Sequence, residues 1–196
     1  MAAVRSPSAK RIQGCAGSSE VRTISPTFPS GTGSPVPGHT TSEAVAFGDG
    51  RPFVTAFVNI DLDAVGNWAE RQKIPFSGYA DLAARPETYA LVAEQIAEMN
   101  DSLGGDPQLS HCQIKRFLIL PKELDADDGE LTRTRKVRRR IIAERYGVLI
   151  EALYGDIENV SLDTKAVLED GRSIAVRADV RIATPEKSAS VRRLPA

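Results

Sequence analysis

The first dense apolar pattern in the chain predicts a β-hairpin. A short apolar run, Ala44–Phe47, ends at the glycines and aspartate of 48–50, and a second run covers Phe53–Ile60. Two apolar runs separated by turn-forming residues are typical of two paired strands. Asp61 or Asp63 can cap the helix that follows. The inward face of this helix would carry Val65, Trp68 and Ala69.

A longer helical pattern starts at Pro86, which suits the first position of a helix because proline has no backbone N–H to leave unpaired. Apolar residues then recur about every 3.6 positions until Gly104 and Gly105 end the pattern. The sequence therefore predicts an amphipathic helix that covers a sheet. Its apolar stripe consists of Tyr89, Val92, Ala93, Ile96, Met99 and Leu103.

The second half of the chain predicts a strand, a helix and a hairpin, in that order. The strand covers 113–120 and ends before Pro121, which cannot donate to a ladder. One helical stripe follows Lys136. A hairpin of alternating apolar residues then spans 162–182 around the Asp-Gly pair 170–171. The helical stripe consists of Val137, Ile141, Ile142, Tyr146, Leu149, Ile150 and Leu153.

These elements predict an α+β fold, with a β-hairpin, a small sheet packed with helices and a C-terminal hairpin. We expect the domain to span 42–182 and a flexible tail to cover 183–196. Residues 1–40 are dense in Ser, Pro, Gly and Arg, and prolines interrupt their short apolar runs. This lead segment is predicted to be disordered or unrelated to the domain, as a mis-called start or an out-of-frame remnant of a longer gene would be.

Charge and composition argue against some function classes. With a net charge of −1 and a pI of about 6.2, the chain has no overall cationic excess to drive binding to nucleic acid or anionic lipid. Cys15 and Cys112 lie far apart, which argues against a disulfide and favours a reducing compartment. No run approaches the ~18 apolar residues of a membrane span, and the N-terminus lacks the apolar core of a signal peptide. We therefore expect a cytoplasmic protein.

The stretch 128–140 holds the strongest candidate for chemistry. Lys136 lies between an acidic turn and a cluster of arginines, at the start of the predicted helix. Its ammonium suits a phosphate or a developing oxyanion, and the alternative is one solvated cation among many. The cationic run could instead bind a nucleic-acid backbone, but no aromatic residues are interleaved to stack on bases. This run consists of Arg133, Arg135, Lys136, Arg138, Arg139 and Arg140.

Metal and nucleotide motifs are incomplete. A zinc site needs about four ligands, but the chain has two histidines and two cysteines, with one of each in the lead segment. The acidic turn 125–130 imitates part of a calcium loop, yet Lys136 stands where the final glutamate is expected, so a solvated turn and no metal site are predicted. The chain contains no Gly-x-x-x-x-Gly-Lys-Ser/Thr loop and no Gly-x-Ser-x-Gly elbow.

Two short motifs carry a family resemblance. Gly-Asp-Gly-Arg-Pro at 48–52 and Gly-Glu-Leu-Thr at 129–132 form a specific combination. Together with their surroundings they resemble the C-terminal region of bacterial long-chain fatty acid–CoA ligases, which are acyl-adenylate-forming synthetases. The resemblance runs from about residue 42 to 182. The matching segments are 42–58, 119–124, 129–139 and 146–154.

The resemblance implies a reaction in two steps. ATP and a fatty acid give acyl-adenylate and pyrophosphate, with Mg²⁺ accompanying the ATP, and coenzyme A then takes the acyl group while AMP leaves. It also implies a small C-terminal domain that swings between two poses, in which Lys136 enters the site only for adenylation and stabilises the negative charge that develops there. The family motif usually has proline where this chain has Arg133. We expect this change to loosen the turn but to leave Lys136 in register.

The resemblance also implies which parts of the enzyme lie elsewhere. In the family a large N-terminal domain holds the phosphate loop, the adenine pocket, the magnesium-binding acid and the fatty-acid tunnel. We therefore expect fatty acid, ATP and CoA to bind through such a domain, and expect this chain alone to bind no cofactor tightly and to have little or no ligase activity. No nucleic-acid partner and no membrane span are expected, although the full enzyme could associate peripherally with a membrane. The alternative is a non-catalytic acyl-chain or protein-binding module.

Overall fold

The structure, a computed structural model, describes residues 40–167 and 173–185. The predicted lead segment up to residue 39, the turn at 170–171 and the tail from 186 lie outside these residues. Strands and helices follow one another in the order β1 (Thr41–Phe47), β2 (Val54–Ile60), α1 (Leu62–Arg71), α2 (Tyr79–Ala84), α3 (Pro86–Gly104), a 3₁₀ turn (Ser110–Cys112), β3 (Ile114–Ile119), α4 (Arg139–Arg145), α5 (Gly147–Tyr154), β4 (Asn159–Val167) and β5 (Ser173–Ala183).

The strands form one five-stranded mixed sheet in the order β1-β2-β3-β5-β4. β1 and β2 make the antiparallel hairpin that the sequence predicts, with Val45 opposite Phe57. β3 lies parallel to β2, a pairing that needs a crossover connection, and α1, α2 and α3 supply it. β5 pairs antiparallel with β3 and with β4, the other strand of the predicted C-terminal hairpin. The predicted α+β fold is confirmed.

Alternation along the strands gives the sheet two apolar faces. Phe57 and Val58 are neighbours in β2 but belong to different cores, because successive side chains of a strand point to opposite faces. On one face Val58 and Phe117 pack with α1, α2 and α3, and on the other Phe57 and Leu118 pack with α4 and α5. We call these the α1–α3 face and the α4–α5 face.

Two helix starts agree with the sequence prediction. The Asp61 side chain caps α1 and accepts a hydrogen bond from the Ala64 amide at 2.9 Å. Pro86 opens α3. The predicted apolar stripe of α3 meets the sheet, since Tyr89 and Ile96 are buried in the core of the α1–α3 face. The short helix α2 was not predicted, because its six residues are too few to show a helical period.

The single helix predicted beyond the basic run is two helices. Between α4 and α5, Tyr146 has a φ of −110° and a ψ of 21°, outside the helical region. The prediction of one continuous helix is therefore wrong. The prediction of its buried stripe is confirmed at Ile142, Tyr146 and Leu149, which are all 0% exposed.

The structure contradicts one expectation about the cysteines. Cys112 is buried and disulfide-bonded, so the prediction of no disulfide is wrong. Separation along the chain does not decide which thiols meet in space. The cysteine argument for a reducing compartment therefore fails, and the cytoplasm stays an untested prediction. No helix within the described residues is long and apolar enough to cross a membrane.

Candidate functional site

Lys136 lies in a small hairpin between β3 and α4. The Arg138 amide closes its base by donating to the Glu130 carbonyl at 2.7 Å. Further out, the Thr132 amide donates to the Lys136 carbonyl at 2.8 Å. We call residues 130–138 the Lys136 hairpin. Its two arms are held together by main-chain hydrogen bonds, so the position of Lys136 depends on the position of the base.

Thr132 closes the tip of the hairpin. Its carbonyl accepts a hydrogen bond from the Arg135 amide at 2.9 Å, and its hydroxyl accepts one from the Lys136 amide at 3.0 Å. Arg135 has a φ of 56°, the left-handed conformation that reverses the chain here. The turn therefore closes with Arg133 in the place where the family motif has proline.

The Lys136 side chain points away from the core. It is exposed, and within the described residues its ammonium has no ion pair or hydrogen bond. The apolar contacts of the hairpin come from Leu131 and Val137, which form an isolated bridge and pack partly buried against the α4–α5 face. The hairpin is thus fixed at its base and positively charged at its tip. The exposed arginines beside the lysine are Arg133, Arg135 and Arg138.

Glu130 anchors the base of the hairpin as a buried carboxylate with 0% exposure. One of its oxygens accepts hydrogen bonds from Lys122 Nζ at 2.8 Å and from the Asp125 amide at 3.3 Å. The other accepts them from Arg145 Nη1 at 2.6 Å and from the Tyr146 hydroxyl at 2.7 Å. Hydrogen bonds to both oxygens offset the free-energy cost of burying a charge.

Asp128 belongs to the same cluster. Its side chain is 3% exposed, forms an ion pair with Lys122 and lies 4.0 Å from Arg145 Nη1. Arg145 Nη2 also donates to the Asp128 carbonyl at 3.1 Å. Two carboxylates thus face two cations. We call Lys122, Asp128, Glu130, Arg145 and Tyr146 the Glu130 network.

The acidic turn after β3 is only partly solvated. Asp125 and Asp127 are exposed, as predicted. The side chains of Asp128 and Glu130 are buried and ion-paired, so the prediction of a solvated turn is wrong for these two. Gly129 between them has a φ of 73°, which favours glycine, and this reversal lets both carboxylates meet the same cations.

The network changes the pKa values of its own members. Burial lowers the pKa of the Arg145 guanidinium, but the hydrogen bond and charge of Glu130 outweigh it, so this pKa is raised. Burial, followed by the charge and hydrogen bond of Glu130, raises the pKa of Tyr146. Near neutral pH both groups therefore keep the protons that they donate to Glu130.

The described residues do not fit the Mg²⁺ that the family resemblance implies. No group of three or more His, Cys, Asp or Glu side chains among them could hold a metal ion. Asp128 and Glu130 are already paired with Lys122 and Arg145. We therefore assign no magnesium ligand in this part of the chain.

Sequence reasoning singled out Lys136 but missed the residues that hold it. Tyr146 was predicted only as a core residue, and Lys122 was not singled out. The usable signal was Glu130 itself, an acidic residue directly before the apolar Leu131 in a segment that leads to a core helix. A charged residue in such a position is a candidate for a buried ion pair.

The chain has relatives over more than half of its length. The long-chain-fatty-acid–CoA ligase FadD15 of Mycobacterium tuberculosis is 36% identical over 115 residues, which are 58% of this chain. The putative fatty-acid–CoA ligase fadD11 of the same species is 41% identical over 111 residues, or 56% of this chain. The chain is a homologue of fatty-acid–CoA ligases. It spans 18% of the length of each of these two relatives.

The likeness to solved structures is weaker. The A-PCP didomain of carboxylic acid reductase from Segniliparus rugosus, in complex with AMP, is 17% identical and has a TM-score of 0.41, over 59% of this chain and 14% of that chain. No family model matches the chain. Its relation to fatty-acid–CoA ligases therefore rests on the mycobacterial sequences, which confirm the resemblance seen in the motifs.

Proposed function

We propose that the chain is part of a long-chain fatty-acid–CoA ligase in which Lys136 acts in the formation of acyl-adenylate. The observation that carries this proposal is the Lys136 hairpin, in a chain homologous to such ligases. It presents an exposed ammonium, which has no ion pair among the described residues, on a closed turn whose base is held by buried ion pairs. Surface lysines in general need no buried support of this kind.

The role of Lys136 follows from its charge. In adenylation the fatty-acid carboxylate attacks the α-phosphate of ATP, so that an acyl–phosphate bond forms and the bond to pyrophosphate breaks. Negative charge gathers on the phosphoryl oxygens as this happens. An ammonium close to these oxygens stabilises the transition state more than the ground state, and this difference is what accelerates a reaction.

The exposure of Lys136 suits a group that enters a site built mainly by other residues. The chain spans 18% of the length of its mycobacterial relatives. We therefore propose that ATP, the fatty acid, coenzyme A and Mg²⁺ bind mainly through parts of the ligase outside this chain. The 196-residue chain by itself is expected to have little or no ligase activity.

The test joins the chain to the part of FadD15 that it does not match, and we call the product the combined enzyme. We expect fatty-acid-dependent exchange of labelled pyrophosphate into ATP from the combined enzyme and not from either part alone. Each part alone, checked for folding, is the control. A folded combined enzyme without exchange would contradict the proposal and favour a non-catalytic acyl-chain or protein-binding module.

A further inference from the structure

We propose that Glu130 is a positioning residue for Lys136. It fixes where the Lys136 hairpin stands relative to β3 and α4, and thereby which point in space the lysine can reach. This inference rests on the proposed function and deepens it, because homology alone assigns no role to the buried carboxylate.

A single residue, Glu130, joins the Lys136 hairpin to the Glu130 network. The main-chain carbonyl of Glu130 accepts the bond from the Arg138 amide that closes the base of the hairpin. Its carboxylate is 0% exposed and accepts bonds on both oxygens. A displacement of the carboxylate therefore moves the base of the hairpin, and Lys136 moves with it.

The donors to Glu130 come from separate elements. Lys122 follows β3, Arg145 is the last residue of α4, and Tyr146 joins α4 to α5. Bonds from several directions fix a position in three dimensions, which a single ion pair does not do. The network therefore ties the hairpin to both the sheet and the helices of the α4–α5 face.

The buried charge of Glu130 suits positioning of the hairpin better than stabilisation of the fold. Apolar residues of similar volume often stabilise a fold as well as a buried ion pair does, because the pair loses hydration. A fully hydrogen-bonded network, in contrast, admits few geometries. The apolar contribution of the hairpin is small, since Leu131 and Val137 are only partly buried.

Three variants separate positioning from general stability. Glu130→Gln keeps the shape of the side chain and removes its charge. Tyr146→Phe removes one donor and leaves the ion pairs in place, so it remains informative if Glu130→Gln fails to fold. Glu144→Gln is the matched control, because Glu144 is a 61% exposed carboxylate of α4 that pairs with Arg140 one helical turn away.

Amide hydrogen exchange on the whole chain measures the hairpin without any activity. In Glu130→Gln we expect the amides of Thr132 and Arg138 to exchange about tenfold faster or more. The Leu120 amide, which directly follows β3 and donates to the Val58 carbonyl of β2, should keep its rate. Tyr146→Phe should show a smaller effect in the same direction, and the control none. Unchanged hairpin amides, or equal acceleration at Leu120, would overturn the proposal.

The combined enzyme shows whether Glu130 acts through Lys136. Glu130→Gln should slow acyl-adenylate formation about tenfold or more and leave acyl transfer from pre-formed adenylate to CoA within about twofold. In a Lys136→Ala background it should cause no further loss of adenylation. Multiplied losses in the double variant, or equal losses in both half-reactions, would overturn the positioning role. If the unaltered combined enzyme is inactive, the proposed function fails, and amide exchange alone decides the role of Glu130.

Discussion

The two faces of the sheet pack against their helices through different kinds of interaction. The α1–α3 face is an apolar core in which Phe117 and Ile119 lie under helix residues such as Val92. The α4–α5 face also has a buried apolar core, around Phe57 and Leu118. In addition, the buried ion pairs of the Glu130 network lie beside this core. The charged network lies on the face that carries the Lys136 hairpin.

The two kinds of interaction suit different roles, namely stabilising the fold and fixing the position of a loop. Apolar side chains supply most of the free energy of folding and tolerate small adjustments, because the hydrophobic effect has no direction. Hydrogen-bonded ions demand a particular geometry. We therefore expect the position of the Lys136 hairpin to depend on the hydrogen bonds of the Glu130 network, and the stability of the fold to depend mainly on its two apolar cores.

The largest expected effect is the loss of volume in the α1–α3 face. Phe117 is 0% exposed, and its ring stacks on Tyr89 with centroids 5.9 Å apart. Phe117→Ala should lower the free energy of unfolding by about 3–5 kcal/mol, because it leaves a cavity. Urea unfolding measures this change. The control Val148→Ala, at a 69% exposed position, should change the free energy of unfolding by less than about 0.5 kcal/mol. A similar loss in both variants would contradict close packing of the α1–α3 face.

A smaller effect compares one tyrosine from each face. The Tyr146 hydroxyl donates to the charged Glu130, whereas the Tyr89 hydroxyl donates to the neutral Arg181 carbonyl at 2.7 Å and accepts from the Ile119 amide at 3.2 Å. Tyr146→Phe should lower the free energy of unfolding by about 1.5–3 kcal/mol for one bond to a charged group, and Tyr89→Phe by about 0.5–1.5 kcal/mol for each of its two neutral bonds. Urea unfolding of both variants measures these losses. A loss in Tyr146→Phe no larger than that of one neutral bond would show that the charge of Glu130 adds nothing to its hydrogen bond.

The same tyrosines should make the protein sensitive to alkali. Burial raises the pKa of Tyr89 to about 12, and burial followed by the charge of Glu130 raises the pKa of Tyr146. Tyrosines in the unfolded chain ionise near pH 10. Each of these two tyrosines therefore stabilises the folded state fully below that pH, and this contribution is lost as the pH rises from about 10 towards the pKa of the folded protein. The loss is at most about 1.4 kcal/mol per pH unit for each group. Urea unfolding above pH ~10 should show a weaker pH dependence in Tyr146→Phe. Identical pH dependence would contradict the raised pKa.

The smallest effect concerns the tip of the hairpin. Arg133 is the second residue of the turn that the Arg135 amide closes on the Thr132 carbonyl. Proline favours that position, so Arg133→Pro should raise the free energy of unfolding by about 0.4–1 kcal/mol. Arg135→Pro is the control and should destabilise the protein, because proline cannot adopt a φ of 56°. Destabilisation by Arg133→Pro would show a different turn geometry.

Local rules predicted the strands, the start of the first helix and the long helix. The two apolar runs around 48–50 form the β1–β2 hairpin, Asp61 caps the helix after it, and Pro86 starts the long helix α3. Each of these features depends on residues close together in sequence. The sequence therefore carries them as readable patterns.

The Glu130 network depends on contacts between segments, so the sequence beside Glu130 makes it a candidate for a buried ion pair but does not show which residues are its partners. Lys122 and Arg145 lie 8 and 15 residues away from Glu130. Nothing in the immediate sequence separates the buried Asp128 from the exposed Asp127 beside it. The apolar stripe also continues across Tyr146, so the sequence pattern does not show that one helix ends and the next begins there.

The most direct test of the central claim is the effect of Lys136→Ala on the two half-reactions of the combined enzyme. Acyl-adenylate formation should slow by about 10²–10³-fold, as for the loss of other groups that stabilise charge in a transition state. Acyl transfer from pre-formed adenylate to CoA should stay nearly unchanged. Arg140→Ala, which removes an exposed cation of α4, should leave both steps unchanged. Equal losses in the two half-reactions, or full adenylation without the lysine, would contradict the role assigned to Lys136.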